Sequence, residues 1–98
     1  MRSPQSHMKS YSEQAAALKE LQRIPGVGPS IAQDLYDQGY RKVEDLKRAD
    51  PDAMYERQEQ LQRCHVDRCW LYVARCAVYF AQNVNPEPEK LKWWNWKD

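Results

Sequence analysis

The sequence predicts an all-α protein, a compact helical bundle, and three observations carry that prediction. Apolar residues recur at spacings of three and four rather than two. Four of the breaks between the periodic stretches hold proline or glycine, at Pro25 to Pro29, Gly39, Asp50-Pro51 and Asn85 to Pro88. Glycine is scarce, three residues, and two of the three fall in one break. With 98 residues the chain suffices for one domain with one modest core.

Residues 1–7 read as an expression-tag remnant, with Met8 as the native start. The domain proper is expected over residues 8–84, and residues 85–98 form a tryptophan-rich tail that packs on it. Ser10 and Glu13 have the spacing of a capping box, so a first helix is expected from about Tyr11. Ala17, Leu18, Leu21 and Ile24 form its apolar stripe, and Pro25 ends it. Pro29 sits where a first helical turn tolerates proline and opens a second helix, with Ile31, Ala32 and Leu35 toward the core and Gly39 just past its end. A short helix over Val43–Lys47 follows. Asp50-Pro51 is a cap plus first-turn proline for a fourth helix over Pro51–Gln62, whose apolar content is Met54, Tyr55 and Leu61. Asp67 can cap a fifth helix running to Gln82. There Arg68, Tyr72, Arg75, Tyr79 and Gln82 make one polar stripe, while Cys69, Trp70, Leu71, Val73, Cys76, Ala77, Val78 and Phe80 are apolar, so this is the expected central helix. Leu21-Gln22-Arg23 and Leu61-Gln62-Arg63 precede the two principal breaks. With the matching helix order, this echo suggests two helix-break-helix units in a pseudo-twofold arrangement.

Charge sets a limit on function. Without Arg2 the 15 basic side chains become 14, against 14 acidic ones, so the native domain is formally neutral. A neutral domain does not draw polyanions by its overall field, and any such contact must come from local geometry. No run of about 18 apolar residues exists to span a membrane. The three cysteines, Cys64, Cys69 and Cys76, are an odd number in one segment, which points to a reducing, cytoplasmic setting rather than a disulfide framework.

The specific signal is Leu21-Gln22-Arg23-Ile24-Pro25-Gly26-Val27-Gly28-Pro29-Ser30-Ile31-Ala32. Gly26 and Gly28 remove side chains and allow a ligand close to the backbone. They precede a helix N-terminus, whose first amides are unpaired and carry partial positive charge. The amides of Gly28, Ser30 and Ile31 and the Ser30 hydroxyl are therefore candidates to converge on an anion, with phosphate the natural occupant. Val27 is expected to point between the helices and stiffen the loop. The competing reading is a tight αα-turn whose glycines serve sterics alone. Arg23, Arg41, Lys42, Lys47 and Arg48 either extend a phosphate track or pair with Glu20, Asp37, Glu44 and Asp45 on a solvated face.

These residues resemble the helix-hairpin-helix family, with its Pro-Gly-apolar-Gly core and apolar-Ala step. Gly26 to Leu46, with Gly39 and Glu44-Asp45-Leu46, is similar to the second such motif of DNA polymerase beta and its relatives. The resemblance implies binding to DNA phosphates through backbone amides without base reading. It makes Gly26, Gly28 and Ser30 the contacts. With the loop geometry and the flanking charges added, the candidate phosphate-binding set is Gly26, Val27, Gly28, Ser30, Ile31, Arg23, Arg41 and Lys42. The resemblance also implies a monovalent cation, Na+ or K+, on the carbonyls of Gln22, Ile24 and Val27. From Leu21 through Cys69, Arg75 to Phe80 and Trp93 to Asp98, the chain is similar to a small bacterial family of pathogenicity-locus or mitomycin-resistance helix-hairpin-helix proteins. Two features depart from the DNA-gripping pattern: Pro29-Ser30 stands where a basic residue is common, and the second break, Cys64-His65-Val66-Asp67, has no glycine. Asp67 would cap its own helix and set a carboxylate where a phosphate would sit.

Other constellations weigh less. Cys64, His65, Cys69 and Cys76 offer soft ligands but no short Cys-x-x-Cys knuckle, so zinc is disfavoured and core packing preferred. Trp93, Trp94 and Trp96, interleaved with Lys90, Lys92 and Lys97, suit either single-strand stacking or packing, with packing favoured for so small a domain. No nucleophile–base pair, carboxylate pair or phosphate-binding loop of an enzyme is recognisable, so a non-enzymatic protein is expected. The expected function is a weak, sequence-independent, DNA-backbone-binding accessory protein in repair or DNA processing. The alternative is a protein–protein adaptor presenting Trp93, Trp94 and Trp96, or the Tyr72/Tyr79 stripe, to a partner.

Overall fold

The computed structural model describes residues 4–98, with side chains described from Ser12 onward. Among the described residues there are four α-helices, α1 (Pro4–Leu21), α2 (Pro29–Asp37), α3 (Pro51–Gln62) and α4 (Arg68–Gln82). Single 3₁₀ turns at Val43–Leu46, Pro88–Leu91 and Trp93–Trp96 complete the secondary structure, and no strand is present among the described residues. The all-α expectation holds, and among the described residues no helix is long and apolar enough to cross a membrane.

Local chemistry explains most boundaries. Asp50 accepts from the Asp52 amide at 3.1 Å and Asp67 from the Cys69 amide at 2.8 Å, so each caps the helix it precedes. At the end of α2, Gly39 takes φ +107°, the Gly39 amide donates to Tyr36 and the Tyr40 amide donates to Leu35. That pair of bonds is a Schellman closure, which favours glycine at the left-handed position.

The first helix differs from expectation at both ends. It begins at Pro4 rather than near Tyr11, so Ser10 is not its cap. Proline is tolerated in a first turn, and residues 5–10 hold no glycine or proline to stop a helix. It ends at Leu21, before Ile24, and the chain then tightens into i→i+3 bonds from Arg23 to Glu20 and from Ile24 to Leu21. Ile24 precedes proline and is driven out of the helical region.

α1 packs on α2, and α3 on α4. α4 is the central helix: Trp70, Leu71, Val73, Ala74, Cys76, Ala77, Val78 and Ala81 are buried on it. They meet Leu21, Ile24, Val27, Ala32 and Leu35 from the first pair and Leu46, Met54 and Tyr55 from the middle of the chain. Two expected core residues are instead exposed: Cys69, in the first turn of α4, and Leu61, in the last turn of α3. Between α2, α3 and α4 lies a polar layer. Trp70 Nε1 donates to Asp34 at 3.0 Å, and Gln38 Nε2 donates to the buried Gln58 side chain and to the Met54 carbonyl.

The tail packs against α4, along the side expected to be its polar stripe. Arg75 bonds the Trp96 carbonyl at 2.8 Å and the Asp98 carboxylate at 2.8 Å. Arg68 pairs with the same carboxylate, and the Tyr72 hydroxyl donates to it at 3.4 Å. Tyr79 stacks obliquely on Trp96, ring centroids 5.5 Å apart, and its hydroxyl accepts from the Glu87 amide. The Tyr72/Tyr79 stripe is thus occupied by the chain itself and is not the free partner surface expected from sequence.

Candidate functional site

The first break is built from two joined pieces. Ile24-Pro25-Gly26-Val27 closes through a bond from the Val27 amide to the Ile24 carbonyl at 3.0 Å, with Gly26 at φ +88°. Proline second and a positive-φ residue third is the pattern of a type II turn, and it requires glycine at the third place. The Val27 side chain is buried in the core and pins the loop from beneath. Its amide is used internally, so Val27 is a structural anchor and not a phosphate donor, contrary to its place in the expected contact set.

Gly28 follows as the N-cap of α2, with φ −94° and ψ −171°. Any residue adopts that extended conformation. A Cβ added at Gly28 would meet nothing within 4 Å. Neither the backbone nor the packing of this chain therefore demands glycine here. The residue also forgoes capping, since α2 has no side-chain cap. Among the described residues, no acceptor within the protein is recorded for the amides of Gly26, Gly28, Ser30 or Ile31, whereas the Ala32 amide bonds the Gly28 carbonyl. Gly26 and Ser30 are exposed, and Gly28 and Ile31 half-buried. The break presents unpaired donors at the positive end of a helix dipole, an arrangement suited to an anion.

The expected basic flank is not assembled around these donors. Arg23 folds back on Glu20, with N–O distances of 3.0 and 3.1 Å. Arg41 lies at the far end of α2, where it donates to the carbonyls of Tyr36 and Tyr40 and stacks 3.7 Å over the Tyr36 ring. Lys42 adjoins it across a cleft from Glu13 and Glu20. Helix C-terminal carbonyls attract cations, which accounts for Arg41. Arg41 and Lys42 are therefore not brought to the hairpin.

The remaining candidates separate in space. Cys76 is buried and its thiol donates to the Lys90 carbonyl at 3.5 Å, and burial pushes its pKa up to about 11. Cys64 and His65 are exposed in the second break. Among the described residues no group of three or more His, Cys, Asp or Glu is placed to hold a metal. Trp96 donates its indole N–H to the Lys90 carbonyl, and Trp94 stays half exposed.

Trp93 reaches the hairpin itself. Its Cδ1 lies 3.1 Å from where a Gly26 Cβ would be, so Gly26 has a steric reason as well as a conformational one. Gly26, Ile31, Trp93 and Trp70 share a cleft of about 360 Å³ with Val66 and Asp67 of the second break and with Cys69 and Val73 of α4. The two breaks thus face one another. The Asp67 carboxylate is held below its usual range by the Cys69 amide, and it in turn raises the Cys69 thiol. The cleft was not legible in the sequence. Asp67 capping its own helix was legible, and the structure has it so.

A family model, Cdd1, described as pathogenicity locus, matches residues 14–98. The chain belongs to that family. No curated protein and no solved structure matches it. The Cdd1 match spans the first break, the central helix and the tail down to Asp98, so every feature described above from Gln14 onward lies within the family's extent.

Proposed function

We propose that this Cdd1-family chain is a non-enzymatic, sequence-independent DNA-binding protein that captures backbone phosphate at the first break, as helix-hairpin-helix proteins do. The amides of Gly28, Ser30 and Ile31 and the Ser30 hydroxyl are its donors. One observation carries the reading: α2 opens on a glycine that the chain's own conformation and packing do not need, and its first amides are left without an acceptor. A side chain at that position would cap the helix or stand in the way; its absence suits a close external approach.

The carbonyls of Gln22, Ile24 and Val27 suit a monovalent cation beside the phosphate. Those of Gln22 and Val27 accept no recorded N–H among the described residues, and that of Ile24 keeps a lone pair beyond its bond to Val27. Such an ion would offset part of the phosphate charge.

With Arg23 and Arg41 engaged elsewhere, few charges add to the contact. Affinity is expected in the non-specific range, about 10⁻⁴ to 10⁻⁶ M, with a shallow dependence on salt of about one to two released counterions. Such a domain serves as an accessory in repair or DNA processing. The test is a low-salt anisotropy titration with labelled duplexes of unrelated sequence. Equal, weak, mildly salt-dependent binding supports the proposal, and no binding at tens of micromolar overturns it. For the adaptor alternative, Trp94 is the most exposed of the three tail tryptophans, while Trp93 packs at Gly26 and Trp96 bonds the Lys90 carbonyl.

A further inference from the structure

The cleft between the two breaks has a use that a backbone-only grip leaves unexplained. Ile31 belongs to both places: its amide is one of the free donors, and its side chain lines the cleft. Gly26 likewise joins the hairpin to the cleft wall, and Trp93 stands directly against it. Val66, Trp70 and Val73 are buried side chains that supply an apolar lining. The volume, about 360 Å³, lies in the range of small-ligand pockets. A nucleotide held by its phosphate at Gly28, Ser30 and Ile31 carries its base on a short tether beside this lining.

The polar group in the cleft restricts what can enter. Asp67 keeps its charge, because its carboxyl is held below the usual range by the Cys69 amide. One of its oxygens takes that amide at 2.8 Å, and a carboxylate has about four acceptor sites. A fixed negative charge repels a second phosphate and accepts hydrogen bonds from amino groups. We infer that the cleft formed by Gly26, Ile31, Trp93 and Asp67 receives one unpaired base of a single strand, and prefers bases that bear an exocyclic amino group over thymine. The inference rests on the phosphate reading of the hairpin. In a duplex the bases are stacked and paired, so a duplex engages the hairpin without the cleft.

The test compares anisotropy titrations of labelled oligo-dC, oligo-dT and a short duplex at low salt. The wild type binds oligo-dC tighter than oligo-dT, and oligo-dT no weaker than duplex. Cys69→Trp places an indole in the cleft and leaves the hairpin amides alone. It weakens oligo-dC on the order of tenfold, the worth of one stacked base, and leaves duplex affinity unchanged. Asp67→Asn keeps a competent helix cap and removes the charge. It erases a dC-over-dT preference on the order of fivefold. Circular dichroism establishes that each variant is folded, and Asp67→Asn carries the test if Cys69→Trp is not. Gly28→Asp separates the two readings, since it removes binding of all three probes if the hairpin holds phosphate. Loss with Gly28→Asp, but unchanged oligo-dC affinity in folded Cys69→Trp or an unchanged dC-to-dT ratio in Asp67→Asn, overturns the cleft and spares the hairpin. Full binding by Gly28→Asp overturns both.

Discussion

Gly28→Asp gives the first break an aspartate cap like the one Asp67 supplies at the second, and two effects of opposite sign are expected. Stability rises. The extended backbone at φ −94° and ψ −171° accepts aspartate without strain, and its Cβ enters open space. Replacing glycine at a compatible position restricts the unfolded chain and is worth about 0.4–1 kcal/mol. Aspartate is a better cap than glycine by a few tenths of a kcal/mol. Its charge at the helix N-terminus adds about 0.3–1 kcal/mol at low salt. Together these reach about 1–2 kcal/mol, a rise in Tm of about 4–16 °C for a domain of this size. On the proposed phosphate reading nucleic-acid binding falls, because the new carboxylate takes the Ser30 or Ile31 amide, as Asp67 takes the Cys69 amide at α4, and places a negative charge where the phosphate would sit. Thermal melting followed by circular dichroism measures the first effect, and anisotropy with a labelled duplex measures the second. A more stable protein that no longer binds is a combination that unfolding cannot imitate. A lower Tm would show that the fold itself needs Gly28, and unchanged affinity in the folded variant would refute the phosphate mechanism.

Three further outcomes follow from the same geometry. Gly26→Ala should destabilise by at least about 1–2 kcal/mol, since it forces a side chain into φ +88° and brings its Cβ within 3.1 Å of Trp93 Cδ1; a Tm equal to wild type would contradict the turn assignment. The Asp98 carboxyl is held below its usual range by Arg68 and then Arg75, so its contribution to tail docking is present above the unfolded aspartate pKa, about 3.9, and is lost as pH falls through the lower folded value. Tryptophan fluorescence should show that acid transition in the wild type and not in Asp98→Asn, and superimposable titrations would rule out the clamp. Asp34 is raised above its usual value by burial, so its ionisation opposes folding as pH rises from about 4 through the folded value. Asp34→Asn keeps an acceptor for the Trp70 indole and should gain Tm relative to wild type across that window; a gap that does not change with pH would contradict this.

The sequence by itself determined the helical class and most of the chain's punctuation. Asp50, Pro51 and Asp67 act within two or three residues of themselves, and Gly39 closes α2 within five, so their effects are written locally. The apolar girth of α4 likewise followed from helical periodicity, and it is the central buried helix. The residues of the first break were legible for the same reason, and so was the core role of Val27, but the difference between the glycines was not: Gly26 serves the turn, whereas Gly28 serves neither turn nor core. Tertiary structure alone decided where the tail lies, and with it the fate of Tyr72, Tyr79 and Trp96. It sent Arg41 to the far end of α2, left Cys69 and Leu61 exposed, and set Trp93 against Gly26 at the mouth of a cleft shared by the two breaks. These contacts join residues distant along the chain, and helical spacing specifies which face a residue occupies but not which distant segment will cover it.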